Sequence, residues 1–360
     1  MLHFMSDYMD GCHPEVLERL CQTNAELLPG YGTDPHSLRA CDLVRQACGL
    51  GGEADVFLLA GGTQTNVIAI DALLAPWEGV VAASSGHVSL HEAGAVEFTG
   101  RKVLELPQRE GKIGAGQLAA FLEARFGDEN REHMVYPGLV YLSWPTEWGT
   151  LYAKEELAAL REVCTRFGLR LYVDGARLAC GLACGDLALP ELARLCDAFS
   201  LGGTKQGCLF GEALVFPQGA PAHFANHIKR HAGLLAKGRA AGVQFEALLE
   251  ADGAGDCLYW RIGRHAAAMA RLLRERLAAL GVTFAVDSPT NQIFPVFEDA
   301  ALERLSGRVS WSFWEKPDAS HTVVRLATSW ATRQEDVEAL ASLVGEALGQ
   351  GPAARQGGRP

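Results

Sequence analysis

No run of more than two basic residues occurs in this 360-residue chain, and its formal net charge is −11. A nucleic-acid-binding face needs clustered Lys and Arg, so no nucleic-acid partner is expected. No stretch of 18 or more apolar residues is free of charge, so neither a transmembrane helix nor a membrane partner is expected. The opening MLHFMSDYMDG has no basic n-region and no apolar h-region, and it does not read as a secretory signal. The cysteines are Cys12, Cys21, Cys41, Cys48, Cys164, Cys180, Cys184, Cys196, Cys208 and Cys257, and none form a CxxC pair. Scattered thiols in a long chain behave as small buried hydrophobes in a reducing cytosol, so a cytoplasmic protein without a disulfide framework is expected. Cys180 and Cys184 are four apart, but no second ligand pair follows, and no metal site is expected. The 40 glycines have no period, which excludes collagen-like and repeat architectures. GxGxxG is absent, which weakens a dinucleotide reading.

What is present is a globular composition, 48% apolar and 21% charged, with a length that suggests two domains. From 55 to 206 strand-like and helix-like patterns alternate. Strands are expected at Val56–Leu59, Val80–Ala82, Lys102–Leu106, Leu139–Leu142, Leu169–Val173 and Ala198–Leu201. Helices are expected at Thr63–Leu74, Gln117–Phe126, Glu155–Phe167 with Gly168 as C-cap, and Leu189–Cys196. This rhythm implies a mostly parallel sheet covered on both faces. After about residue 245 it changes to one long helix, Asp256–Leu280, closed by Gly281. Strand-like runs Val282–Val286, Gln292–Phe297 and Thr322–Ala327 and a helix Gln334–Leu348 follow. The expected organisation is an N-terminal segment 1–14 near the active site, a large domain 15–245, and a small α+β domain 246–348. The Gly-, Ala-, Pro- and Arg-rich tail 349–360 is expected to be disordered.

Ligands of open α/β sheets bind beyond the carboxyl ends of the strands. The residues there are Gly61-Gly62-Thr63-Gln64, Gly86-His87, Ser143–Glu147, Asp174–Arg177 and Gly203–Lys205. They match no nucleophilic triad and no metal cage. They do match pyridoxal phosphate, which needs a lysine for a Schiff base, a carboxylate for its pyridinium nitrogen and amides for its phosphate. Gly61-Gly62-Thr63 opens a helix after a strand, where free N–H groups and the dipole suit a phosphate. Asp174 ends the run LRLYV, and Lys205 lies in the small-residue turn SLGGTKQG.

Eight motifs carry a resemblance over residues 6–348: SDYMDGCHPEVL (6–17), PGYGTDP (29–35), GGTQTN (61–66), GHVSLHEAGAVEFTG (86–100), PTEWGTLY (145–152), VDGARL (173–178), GGTKQGCLFGEALVF (202–216) and VVRLATSWAT (323–332). The chain resembles the threonine aldolase family of the beta-eliminating lyase superfamily. The resemblance implies the fold-type I fold of pyridoxal phosphate-dependent transferases, a mostly parallel α/β large domain with a smaller α+β C-terminal domain. It implies Lys205 as the Schiff-base lysine, Asp174 against the pyridine nitrogen, and His87 stacked on the ring. Gly62, Thr63 and Gln64 would cup the phosphate, with Arg177 also at the cofactor. Ser6, Arg177 and Arg325 would bind the substrate carboxylate. Tyr31 would reach the neighbouring subunit's site in a homodimer or homotetramer. Either Lys229 and Arg230 or Lys237 and Arg239 would lie near a partner's phosphate.

The expected reaction is retro-aldol cleavage of a β-hydroxy-α-amino acid to glycine and an aldehyde. The alternatives are another lyase, aminotransferase or racemase chemistry on the same cofactor, or a non-catalytic homologue. The segment SWPTEWG lacks a histidine that many threonine aldolases carry there, so the base for the β-hydroxyl is ranked His87, then Glu147, then His91. Thr146 is a further replacement. His223, His227 and His231 are spaced as one helical face, expected to be solvated or subunit-facing rather than metal-binding. Trp311, Trp314 and Trp330 are expected in the small-domain core.

Overall fold

In the computed structural model, residues 1–349 are described. Apart from Gly349, the tail expected to be disordered lies outside them. The chain divides into two compact units, Gly11–Arg264 and Met1–Asp10 with His265 onward. The division falls inside the helix Leu258–Ala279, whereas the rhythm of the sequence pattern changes near 245. Among the described residues no helix is long and apolar enough to cross a membrane. Among the described residues no cysteine is in a disulfide, and seven of the ten are buried.

The larger unit is built on a seven-stranded sheet. Its order is Asp55–Leu59, Glu212–Phe216, Ala198–Gly202, Arg170–Asp174, Tyr136–Ser143, Glu78–Ala83, Lys102–Leu106. Only Glu212–Phe216 runs against the rest, pairing antiparallel with both neighbours. The central strands are apolar on both faces, as helices on either side require. Every strand expected in this region is present within a few residues. Glu212–Phe216 is an addition, as are the helices Pro14–Thr23, Pro35–Ala47, Phe224–Arg230 and Arg239–Leu249. The helix Lys154–Phe167 ends as expected on Gly168, which has a left-handed backbone (φ 72°). Because six strands share one direction, the turns that follow Leu59, Ala83, Ser143, Asp174 and Gly202 gather at one end of the sheet.

The smaller unit holds an antiparallel sheet ordered Gln292–Ile293, His321–Ala327, Pro295–Glu298, Thr283–Phe284, with Ser312–Glu315 also on His321–Ala327. The single strand expected at Gln292–Phe297 is interrupted at Phe294. Both halves keep one register against His321–Ala327, and Pro295 lacks the N–H to continue the ladder. Leu2–His3 pairs with Val309–Ser310, so the N-terminal residues belong to this unit. Trp311 packs on its core, Trp314 meets Phe294 edge-on at 4.9 Å, and Trp330 is half-buried.

Two glycines let the turns after neighbouring strands close on each other. A Cβ on Gly175 would overlap the Ser200 carbonyl oxygen, and one on Gly202 would overlap that of Ala176. Gly202 N–H donates to the Gly175 carbonyl at 3.0 Å. Backbone cannot step aside cheaply, so Gly202→Ala is expected to destabilise the protein by about 1–3 kcal/mol or more. A fall in the urea denaturation midpoint checks this; an unchanged midpoint contradicts it.

Candidate active site

Asp174 ends a central strand and is only 6% exposed. Its Oδ2 accepts from the Tyr141 hydroxyl at 2.8 Å and from Asn66 Nδ2 at 2.9 Å. Its Oδ1 accepts the Ala176 N–H at 2.9 Å. Alternation places Tyr172 on the same sheet face as Asp174, and register places Tyr141 beside Tyr172. The Tyr172 hydroxyl donates to Asn66 Oδ1 at 2.8 Å, which turns the amide nitrogen toward the acids. Burial, then the Asp174 charge, pushes both tyrosine hydroxyls well above their usual range, so they remain donors.

His87 opens a four-residue helix after Gly86. Its Nδ1 is 2.7 Å from Glu92 Oε1, and its main-chain N–H donates to Glu147 Oε1 at 2.8 Å. The Ser143 hydroxyl donates to the same Glu147 oxygen at 2.5 Å. Glu147 is buried, and burial raises its carboxyl above the usual range despite the Ser143 bond. The His91 ring lies 5.6 Å from that of His87.

Lys205 sits in the turn Thr204–Gln206, which closes on Gly207 with φ 90°. Beside it the Thr204 hydroxyl donates to buried Glu212 at 2.9 Å. Burial pushes the Glu212 carboxyl up to about 8, against the opposing pull of Thr204 and the Lys205 charge. An open pocket of about 400 Å³ is lined by Gly62, His87, Glu147, Asp174, Arg177 and Lys205, together with Thr146. Sequence reasoning thus named all seven of these residues, which the fold brings to one cavity. It missed Asn66, Tyr141, Tyr172, Glu92 and Glu212.

Other residues are placed differently. No side chain caps the helix Gly62–Leu73, and a Cβ on Gly61 or Gly62 would meet nothing within 4 Å. Thr63 is exposed on its first turn. The Gln64 side chain is turned away: it donates to the His231 carbonyl at 3.2 Å and accepts from Ala60 N–H at 3.3 Å. Only its backbone can serve an anion at the helix start. Tyr31 is exposed, with a left-handed backbone (φ 60°), in a separate groove with Ile228 and Leu234. Lys229 Nζ lies 5.1 Å over its ring. Arg230 is bound to Asp71, and Arg239 to the carbonyls of Asn24 and Glu26.

Ser6 and Arg325 belong to the smaller unit. There Arg325 Nη2 donates to the Met5 carbonyl at 3.3 Å and to Ser312 Oγ at 3.2 Å. Ser6 Oγ is buried with no hydrogen-bond partner among the described residues. The histidine row is only partly helical. His223 lies before its helix in a left-handed conformation, while His227 and His231 contact buried Asp71 at 3.0 and 3.1 Å. That carboxylate comes from a distant helix, and the two histidine side chains are 26% and 16% exposed beside it. Burial would raise Asp71, but the His231 and His227 bonds and the charges of Arg230 and Arg101 bring it below its usual range.

The chemistry of the pocket fits pyridoxal phosphate. A buried carboxylate, a lysine amine and an uncapped, sterically open helix start with Gly62 face the same space. With the mostly parallel sheet and the separate antiparallel unit, this defines a fold-type I pyridoxal phosphate enzyme. A model of the beta-eliminating lyase family matches residues 3–300. A low specificity L-threonine aldolase of Pseudomonas aeruginosa is 32% identical, over 94% of this chain and 95% of its own. The solved structure of Leishmania major threonine aldolase is 38% identical with a TM-score of 0.91, over 96% and 99% of the two chains. An aspartate aminotransferase from Thermus thermophilus, 18% identical, shares the fold with a TM-score of 0.69 over 96% and 91%. The chain belongs to the threonine aldolase family of beta-eliminating lyases, whose cofactor is pyridoxal phosphate.

The buried Glu212 has a consequence for stability. Its pKa is raised from 4.5 to about 8 on folding, so the native state holds the proton longer. Stability from this group is complete below about pH 4.5 and is lost as pH rises through about 8. Glu212→Gln should therefore show a smaller fall in urea midpoint between these limits than the wild type. Parallel pH dependences would contradict the assignment.

Proposed function

We propose that this site cleaves the Cα–Cβ bond of L-threonine- or L-allo-threonine-type amino acids, releasing glycine and an aldehyde. The observation that carries the reading is the convergence of Lys205, Asp174, His87 and Arg177 on one pocket in a chain of this family. Pyridoxal phosphate, when bound, supplies the sink for the electron pair of the broken bond. Lys205 would hold the cofactor through its side-chain amine. Asp174 would face the pyridine nitrogen and favour a proton there. The N–H groups of Gly62, Thr63 and Gln64 bind the phosphate at the helix start.

Arg177 binds the substrate carboxylate through its planar fork, which fixes the bond presented for cleavage. Ser6 and Arg325 carry the same assignment from the family resemblance alone. His87 takes the stacking role and accepts the β-hydroxyl proton, while the oxygen's electron pair closes the aldehyde C=O. Glu147 ranks behind it, because its Oε1 already holds the His87 main chain and Ser143 in place. The protein acts in the cytoplasm as a homodimer or homotetramer. Tyr31 serves the neighbouring subunit, a reading supported by its exposure in a groove away from its own pocket.

Product analysis tests the reaction. Purified enzyme with L-threonine or L-allo-threonine should release glycine and acetaldehyde in equal amounts, and Lys205→Ala should abolish turnover. Ammonia with 2-oxobutyrate would identify β-elimination instead. Absence of products from either amino acid would refute the substrate class.

A further inference from the structure

We propose that Glu92 is a positioning residue: it holds the His87 ring with its proton on Nδ1, leaving Nε2 as the ring's proton acceptor. The inference rests on the reading that His87 takes the β-hydroxyl proton. The Glu92 side chain has 0% exposure, and that of His87 has 33%. His87 lines the pocket, so Glu92 acts through the histidine, as the third group does when it orients a catalytic base.

The geometry fixes the direction of the bond. Tyr172 donates to Asn66 Oδ1, so Asn66 Nδ2 faces the acids. That nitrogen donates to Glu92 Oε1 at 2.7 Å and to Asp174 Oδ2 at 2.9 Å. Glu92 Oε1 is therefore already an acceptor, and it lies 2.7 Å from His87 Nδ1. Glu92 Oε2 is buried with no partner among the described residues. A carboxylate has no proton to give, so Nδ1 is the donor. In a neutral imidazole one nitrogen donates and the other accepts, and the bond made by one decides the state of the other. The other acid near His87, Glu147, binds its main-chain N–H. His91 is the nearby ring.

When the β-hydroxyl gives up its proton, the proton goes to Nε2. Nδ1–H stays on Glu92, whose charge offsets the imidazolium. Asn66 bridges Glu92 to Asp174, so one amide sets both the histidine's tautomer and the position of the strand-end carboxylate.

The test is a long-range ¹H–¹⁵N correlation spectrum of holoenzyme labelled with ¹⁵N-histidine, the His87 signals being those lost in His87→Phe. The expected result is a protonated Nδ1 and an unprotonated Nε2 near neutral pH. An Nε2–H tautomer or a doubly protonated ring in the wild type would overturn the proposal. Glu92→Leu should lose the preference and lower kcat by about 10²-fold with KM little changed, the lower end of what a positioned base contributes. Glu92→Gln, which keeps an acceptor oxygen, should retain the tautomer and most of kcat. A folded Glu92→Leu variant with wild-type kcat and tautomer would also overturn it. The tautomer is read without substrate, so its failure is distinct from a failure of the threonine reading.

Discussion

A carboxylate buried at the end of a central strand sets the terms for the rest of the site. Leaving Asp174 unpaired there would cost several kcal/mol, so the fold must deliver donors to it. They come from three places: Tyr141 on the adjacent strand, Asn66 on the helix whose start faces the pocket, and the Ala176 N–H just past the strand. Satisfying one charge thereby fixes strand register, seats a helix and shapes the turn that presents Arg177. Through Asn66 the same demand extends to Glu92 and the ring of His87.

Burial alone does not decide what these acids do. Asp174 receives a tyrosine hydroxyl, an amide and a backbone N–H. Glu212 is about as deeply buried beside Lys205, but Thr204 and the Gly203 backbone do not offset its loss of water, and its pKa is pushed up to about 8. Asp71 shows the opposite outcome, since two histidines and two arginines surround it. Glu212 and Asp71, two buried carboxylates in one unit, thus shift in opposite directions because their donors differ.

Much of the larger unit was legible because buried parallel strands are short apolar runs between helical patterns. Glu212–Phe216 was not, since it opens on a glutamate that looks like surface until its burial is seen. The small unit's two- to four-residue strands are too short to show a period. In the site, Lys205, Asp174, His87, Gly62, Arg177 and Glu147 were legible from the strand-end rule. Tyr141 and Tyr172 are hidden inside apolar strands, and Asn66 inside a helix whose remaining residues are mostly buried and apolar. Glu92 sits in a recognised motif, but nothing in its spacing says that it meets His87 and Asn66. The histidine row misled for the same reason: its partner Asp71 lies more than 150 positions away.

The central claim is that Asp174 organises this pocket by its charge. The most direct measurement is the cofactor content and turnover of Asp174→Asn, which keeps the shape and removes the charge. The account predicts that the variant still binds cofactor while kcat falls by about 10²–10³-fold or more, because charge developing in the reaction loses its preorganised partner. Near-normal turnover in a fully loaded Asp174→Asn enzyme would contradict it.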